Sequence, residues 1–368
     1  MSAEQVPILW NPLRSMSVGG MSTGETNKAP IRRPTIRDVA AAAGVSKSLV
    51  SLVYSKPASV SEKRRQRVLD AADELGFRPN WVARSLAADN GHFVGILVAD
   101  LHNPLFAEIV DAARIELARA GQFGFMTSAV LPRSGEEPQL DSRIIAAFGD
   151  LRPSGILVVG SVPGMASLSR LSYGVPIVVA SAVADDLPSA MTVRVDDELG
   201  MRLVIDHLVG AGHRRIAHIG GEGGIVSAQR AQAYRTAMTA HGLKAEIWVH
   251  PSDYSEQAGY AATRTLLDSA ARPTAITAVN DLAAIGALSA ASDAGLTIPV
   301  NLAVTGYDNS FLSAIRGVSL TSVDPGNAEI GTQAAKWLSC PDNEKRSPGE
   351  VYLVRPSLVI RDSTGGGT

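Results

Sequence analysis

Pro34-Thr-Ile-Arg-Asp-Val-Ala-Ala-Ala-Ala-Gly-Val-Ser-Lys-Ser-Leu-Val-Ser-Leu-Val53, followed further on by Arg78-Pro79-Asn80-Trp81-Val82-Ala83-Arg84-Ser85-Leu86-Ala87, is the part of this 368-residue chain that decides its reading. Thr35 is a helix N-cap residue, and Asp38, three positions on, can reach back to it as in a capping box. Val39, Ala40 and Ala43 give the first helix an apolar stripe. Gly44 permits the left-handed backbone of a sharp exit. Ser46 then caps a second helix in which Leu49, Val50 and Val53 face a core, while Lys47, Ser48, Ser51 and Leu52 point outward. A third helix is expected from Ser61 to Leu75. Its inward residues are Val68, Leu69, Ala72 and Leu75, Lys63, Arg64, Arg65 and Arg67 lie on its solvent side, and Gly76 ends it. Two short helices joined through a glycine turn form a helix-turn-helix, which lays its second helix in a DNA major groove.

Charge agrees with this. Residues 31 to 88 hold 11 Lys and Arg against 5 Asp and Glu, a local balance of +6 in a chain whose total is −2, so the remainder carries −8. A basic module on an acidic body is the electrostatic footprint of a DNA-binding head attached to a domain that avoids phosphate.

The segment resembles the headpiece of the lac and galactose repressor (LacI/GalR) family of bacterial transcription regulators, and the resemblance extends over residues 34 to 362. Thr35-Ile36-Arg37-Asp38-Val39-Ala40 and Gly44-Val45-Ser46 match the family's opening, Val60-Ser61 the start of its third helix, and Pro79-Asn80 to Leu86-Ala87 its hinge helix. The resemblance implies that Lys47, Ser48 and Leu52 read bases while Thr35, Ser46 and Ser51 hold phosphates. Many relatives carry Arg or His at the place of Leu52. A leucine cannot hydrogen-bond a guanine edge and can touch only an apolar surface such as a thymine methyl. In the hinge helix, Asn80 and Leu86 are the expected DNA contacts. With almost nothing to bury itself against, that two-turn helix is marginal alone. A copy from a second subunit would supply its partner, and paired Leu86 side chains would wedge into the minor groove. A homodimer on a palindromic operator follows as the expectation.

From Phe93 onward the pattern changes to short apolar runs at 94–98, 155–159, 177–179, 216–219, 275–279 and 302–305, separated by amphipathic stretches. Such strands are buried on both faces, and their alternation with helices implies parallel sheets. The expected fold is an all-α helix-turn-helix headpiece plus an α/β two-lobed, periplasmic-binding-protein-like effector domain made of two Rossmann-like parallel sheets. The expected division is a disordered extension (1–30), the helix-turn-helix domain (31–78), a hinge helix and linker (79–90), the effector domain (91–362) and a flexible tail (363–368). Lobe 1 takes about 91–193 and 324–352, lobe 2 about 196–321 and 353–362. Crossings near Val195-Asp196, Thr321 to Asp324 and Leu353 to Pro356 would form the hinge between lobes.

Ligand in such a fold sits where strand carboxyl ends face each other. His102 and Phe106 follow the first strand, Arg230 shares a helix with Tyr234, Asn280 ends the strand at 275–279, and Asp308 ends the strand at 302–305. The resemblance implies that Arg230, Asn280 and Asp308 face the effector and that Tyr254 stacks on it. An Arg, an amide and a carboxylate under an aromatic ring suit vicinal hydroxyls, so carbohydrate is the expected effector class. A bidentate Arg230 also leaves a sugar acid, a sugar phosphate or a purine-like ligand open, and Asn280 and Asp308 are also plausible helix caps.

Enzyme signals are poor: no GxxxxGK[ST] or HExxH motif occurs. The single cysteine, Cys340, excludes a thiolate metal cage, and the seven histidines show no ligand spacing. Gly220-Gly221-Glu222-Gly223-Gly224 lacks a nucleotide-binding spacing and reads as a loop lining the cleft. No cofactor and no metal are expected. With no 18-residue apolar run and no signal-peptide order, the expected place of action is the cytoplasm, with no membrane partner. An alternative reading keeps the body as a small-molecule sensor whose head has lost specific DNA recognition.

Overall fold

The structure is a computed structural model that describes residues 33–78, 93–128, 130–131, 139–170, 174–339 and 347–365. The expected disordered extension, the hinge helix with Asn80 and Leu86, and Cys340 lie outside these residues. The chain divides into two compact units, 1–80 and 81–368.

The first unit is built on α1 (Ile36–Ala42), α2 (Lys47–Ser55) and α3 (Glu62–Glu74). The backbone N–H and hydroxyl of Thr35 both donate to Asp38 Oδ2 at 2.7 Å, which ties the entry of α1. Gly44 leaves that helix at φ +59°, a conformation costly for any residue with a Cβ. Ser46 Oγ accepts from Leu49 N at 3.2 Å and starts α2. Val39, Val50, Val53, Val60, Val68 and Ala72 form the core.

Two expectations for this head are corrected. Helix α3 ends at Glu74, so Leu75, at its cap, leaves the helical face and is 38% exposed. Ala71 and Phe77 complete the core instead, Phe77 tilted against Tyr54 at 6.1 Å between ring centroids. Leu52 is half-buried against the core rather than turned fully outward, because α2 is wedged between α1 and α3 and only part of its surface is free.

The second unit holds two six-stranded sheets. In the first run β1 (Phe93–Val98), α4 (Pro104–Arg119), β2 (Phe123–Ser128), a small ribbon of β3 (Val130–Leu131) and β4 (Gln139–Leu140), α5 (Ser142–Leu151), β5 (Gly155–Val159), β6 (Ile177–Ala180) and β7 (Met191–Val195). The chain then enters the other lobe with α6 (Asp197–Gly210), β8 (Ile216–Ile219), α7 (Ile225–Ala240), β9 (Trp248–His250), α8 (Glu256–Asp268), β10 (Ala275–Ala278), α9 (Asp281–Asp293), β11 (Ala303–Tyr307) and β12 (Thr321–Asp324). It returns to the first lobe for α10 (Asn327–Ser339) and β13 (Val351–Val354), and crosses again for β14 (Ser357–Val359). The sheet orders are β13-β7-β6-β5-β1-β2 and β14-β12-β11-β10-β8-β9, parallel throughout except for the β12–β14 pair.

Each sheet is covered on both faces, which is why β1, β5, β8 and β10 are wholly apolar or buried runs. Helix α10, late in the chain, packs its Ile330, Ala334, Trp337 and Leu338 into the first lobe's core. Gly331 makes this possible, since a Cβ there would collide with the Ile109 carbonyl of α4. The chain passes between the sheets after Val195, Asp324 and Val354. Leu353 pairs with Arg194 in the first sheet, so the second lobe's final segment begins beyond it.

The expected flexible tail is also corrected at its start. Ser363 is buried, its hydroxyl donates to the Val304 carbonyl at 2.6 Å, and it accepts from Thr321 N at 2.8 Å. Those bonds sew residues 362–364 onto the second sheet, because β11 and β12 offer backbone groups that only a returning chain can satisfy. No helix among the described residues is long and apolar enough to cross a membrane.

Candidate functional site

A cleft of about 1090 Å³ opens at the carboxyl ends of the strands of both sheets. Its first wall comes from the turns after β1, β2, β5 and β6 and includes Asp100, His102, Phe106, Ser128, Met165 and Asp186. Its second comes from the turns after β8, β9 and β11 and includes Gly223, Gly224, Ile225, Arg230, Asp253, Tyr254 and Asp308. Parallel strands place these ends together because every right-handed crossover returns the chain to the same edge.

Arg230 and Asp308 form the floor. Arg230, on α7, donates from Nε to Asp197 Oδ1 at 2.8 Å and from Nη1 to the Val279 carbonyl at 2.6 Å and Asp308 Oδ1 at 3.3 Å. Its guanidinium carbon lies 3.6 Å from the centroid of the Tyr307 ring. Burial works against the guanidinium charge, but Asp197 and Asp308 more than offset it, so its pKa lies above the ordinary value. The arginine is therefore a structural tie of the lobe, and the alternative in which it clamps an anion bidentately finds its Nε and Nη1 already engaged. Nη2 of Arg230 and Oδ2 of Asp308 have no partner among the described residues.

Asp308 sits at φ +102°, outside the ordinary range of a residue with a side chain. The strain is held in place by Asp308 N donating to the Val323 carbonyl at 2.9 Å and by Asn327 Nδ2 donating to the Asp308 carbonyl at 3.2 Å. Asp308 does not cap a helix. Burial raises its carboxyl to a pKa of about 7, with Arg230 pulling the other way and Asp281 adding to the rise. Asp281, beneath it, is lifted to about 6 by burial against three hydrogen bonds from Ser310 and Ser322.

Asn280 does not line the cleft. Its Oδ1 accepts from Ala283 N at 2.9 Å as the cap of α9, and its Nδ2 donates to the Tyr254 carbonyl at 3.1 Å. The structure gives Asn280 another role than the expected effector contact: each end of its carboxamide makes a hydrogen bond inside the lobe, and it props the turn that carries Tyr254. Tyr254 itself lines the cleft, half-buried, with Gly223 against its ring. Phe106 lines the same cleft from the other lobe. His102 is on the rim, its side chain 94% exposed and 3.2 Å from Asp100 Oδ1.

Asp197, Asp185, Asp186 and Asp253 were missed by sequence reasoning. Asp197 was legible only as one of three consecutive acids, Asp196-Asp197-Glu198, and nothing local distinguishes the helix cap, Asp196, from the buried ion-pair partner.

In the head, Lys47, Ser48 and Ser51 are exposed along α2, Thr35 and Ser46 stand at the N-termini of α1 and α2, and Leu52 is half-buried. Exposed Lys63, Arg64 and Arg67 add positive charge on α3. No group of acids, histidines or cysteines among the described residues is placed to hold a metal.

A basic helix-turn-helix carried on the same chain as a two-lobed cleft defines a class, the DNA-binding regulators with a small-molecule domain. Residues 35–80 match the bacterial regulatory proteins of the lacI family, and residues 205–364 match the periplasmic binding protein-like domain. The HTH-type transcriptional regulator DegA of Bacillus subtilis (strain 168) is 30% identical over 338 residues, covering 90% of this chain and 98% of that one. The HTH-type transcriptional repressor PurR of Mannheimia succiniciproducens is 32% identical, covering 89% and 98%. Among solved structures, the lac repressor dimer bound to operator and the anti-inducer ONPF is similar at a TM-score of 0.76 and 25% identity, over 90% of this chain and 99% of that chain. The chain belongs to the lacI family of bacterial regulatory proteins. It is a DNA-binding transcriptional repressor with an effector-binding domain.

Proposed function

We propose that this repressor binds a palindromic operator as a homodimer in the cytoplasm, and that a carbohydrate in the cleft sets its affinity for that operator. The observation that carries the effector class is the pair of free groups on the cleft floor. Arg230 Nη2 offers donors and Asp308 Oδ2 an acceptor, on two side chains joined through Nη1 and Oδ1 at 3.3 Å. Neighbouring hydroxyls of one sugar ring match such a donor and acceptor, and Phe106 and Tyr254 supply apolar surface from opposite lobes.

On the DNA side, Lys47 and Ser48 read bases from α2, Leu52 offers at most an apolar edge, and Thr35, Ser46 and Ser51 fix the register on phosphates. Asn80 and Leu86 belong to the proposed hinge contact with the minor groove. The dimer is supported by the lac repressor, whose structure is that of a dimer on its operator. Effector binding changes the closure of the lobes about three crossings, and the change reaches the head through the start of the first lobe.

The test is selection from a randomised duplex pool at physiological salt, repeated in the presence of a panel of monosaccharides and disaccharides. Recovery of a palindrome whose enrichment changes with one sugar supports the reading. The two rings would also hold a flat heterocycle, so adenine, guanine and hypoxanthine belong in the panel; a response to one of them alone would replace the carbohydrate reading. Retention without sequence selection would favour a sensor with lost DNA specificity.

A further inference from the structure

Five carboxylates line the cleft: Asp100, Asp185, Asp186, Asp253 and Asp308. They come from four different strand ends and from both lobes, so they surround the space rather than crowd one corner. Against them, among the described lining residues, stand only Arg230 and the exposed His102. The Arg230 charge is already shared between Asp197 and Asp308.

Three of the rim acids are held in fixed orientation. Asp100 Oδ1 accepts from His102 N at 2.8 Å, Asp186 Oδ2 from Ala166 N at 3.1 Å, and Asp253 Oδ1 from Ser255 N at 2.8 Å. Each of these bonds occupies one oxygen, and the second oxygen of each has no partner among the described residues. An independent feature lies deeper. Asp308 is only 4% exposed, yet its Oδ2 is unbonded and belongs to the cleft lining. A carboxylate oxygen that opens on the cleft without a partner among the described residues is free to accept from a ligand donor.

The helix N-termini of α4 and α7 also reach the cleft, and their dipoles favour negative charge. Each is equivalent to about half a positive charge, so the two together cancel roughly one carboxylate. The field within the cleft stays negative. An anionic ligand would enter against it, whereas a cation would be drawn in.

We propose that the effector is cationic, an aminated sugar or polyol whose ammonium group is held by Asp308 and the surrounding rim carboxylates. The proposal rests on the carbohydrate reading and narrows it: sugar phosphates and sugar acids are excluded, and a neutral sugar binds more weakly than its amino counterpart. The hydroxyls meet Arg230 Nη2, and the ring lies between Phe106 and Tyr254.

The test uses the full chain and matched series, glucose, galactose and mannose with their 2-amino-2-deoxy and 6-phosphate derivatives, plus glucuronate. Affinity is measured by titration calorimetry at two ionic strengths. Within the series that binds, the amine is expected to exceed its neutral parent by about tenfold, a gap that narrows as salt rises. In a chain carrying both Asp185→Asn and Asp253→Asn the gap between the amine and its neutral parent should shrink severalfold. A neutral parent or a phosphate that binds as tightly as the amine overturns the cationic proposal and leaves the carbohydrate reading standing. Binding by no sugar of any series overturns the carbohydrate reading, and the cationic proposal with it.

Discussion

Arg230 Nε donates to Asp197 Oδ1 at 2.8 Å, joining the middle of one helix to the first residue of the helix that follows the first crossing between lobes. Both side chains are buried. The pair therefore bonds the cleft floor to the hinge, and its partners cannot be rehydrated when the bond is lost.

Replacing Asp197 with Ala should destabilise the chain by about 3 kcal/mol, the usual cost of stranding one member of a buried ion pair. Arg194, whose Nη1 lies 3.5 Å from Asp197 Oδ2, loses a partner as well. Urea unfolding of the full chain measures this. A loss of effector response with unchanged stability would show that Asp197 acts on the ligand and not on the fold. Arg230→Ala should be comparably unstable, which makes it a poor probe of effector contact.

Two buried groups predict opposite slopes of stability with pH. Asp308 titrates at about 7 when folded and near 3.8 when unfolded, so between those values the folded state holds the extra proton. Its contribution to stability is full below pH 4 and declines as pH rises towards 7. His218 is the reverse: buried, with both ring nitrogens unpartnered, its pKa falls to about 3, so the unfolded chain takes up the proton as pH drops from 6.5 to 3. Relative to the parent, Asp308→Asn should therefore gain stability between pH 5 and 8, and His218→Leu should gain it between pH 8 and 5. Each slope is at most about 1.4 kcal/mol per pH unit. Differences from the parent that stay constant across this range would contradict both assignments.

Lys47→Ala should weaken operator binding roughly tenfold or more and relax selection at one base position. Lys63→Ala, on α3, should weaken all duplexes alike and flatten the salt dependence by about one ion. Binding to operator and scrambled duplex at several salt concentrations separates them. An equal loss on both duplexes for Lys47→Ala would reassign that lysine to phosphate contact.

Tyr254→Ala and Asn280→Ala should differ in kind. The first removes a cleft wall and should weaken effector binding with little change in unfolding midpoint. The second breaks the α9 cap and the support of the Tyr254 turn, and should cost about 1 to 2 kcal/mol of stability. Equal effector loss with full stability in Asn280→Ala would return Asn280 to the cleft.

How much was legible in the chain depends on the range of the interaction concerned. Thr35, Asp38, Gly44 and Ser46 act within four residues of themselves, so the head could be read locally. Leu75 and Leu52 escaped that reading because a helical stripe shows which side is apolar but not where a third helix presses. Six of the buried parallel strands announced themselves as short apolar runs, since both of their faces must leave water, whereas Met191–Val195 and Thr321–Asp324 did not, their runs being broken by Thr, Arg, Ser and Asp. The edge strand Phe123–Ser128 did not, because one of its sides stays open and its burial is partial.

The sequence alone determined the class of fold, the head and the family resemblance, because caps, glycine turns and apolar periodicity are properties of neighbours along the chain. The resemblance it carries also pointed to Arg230 and Asp308, which line the cleft. Only the tertiary structure decided that Arg230 is tied to Asp197, that Asn280 supports the turn of Tyr254, that Ser363 is sewn into a sheet, and that carboxylates from four strand ends share one cleft. Those facts join residues tens to over a hundred positions apart, and no local pattern carries the free energy that brings them together.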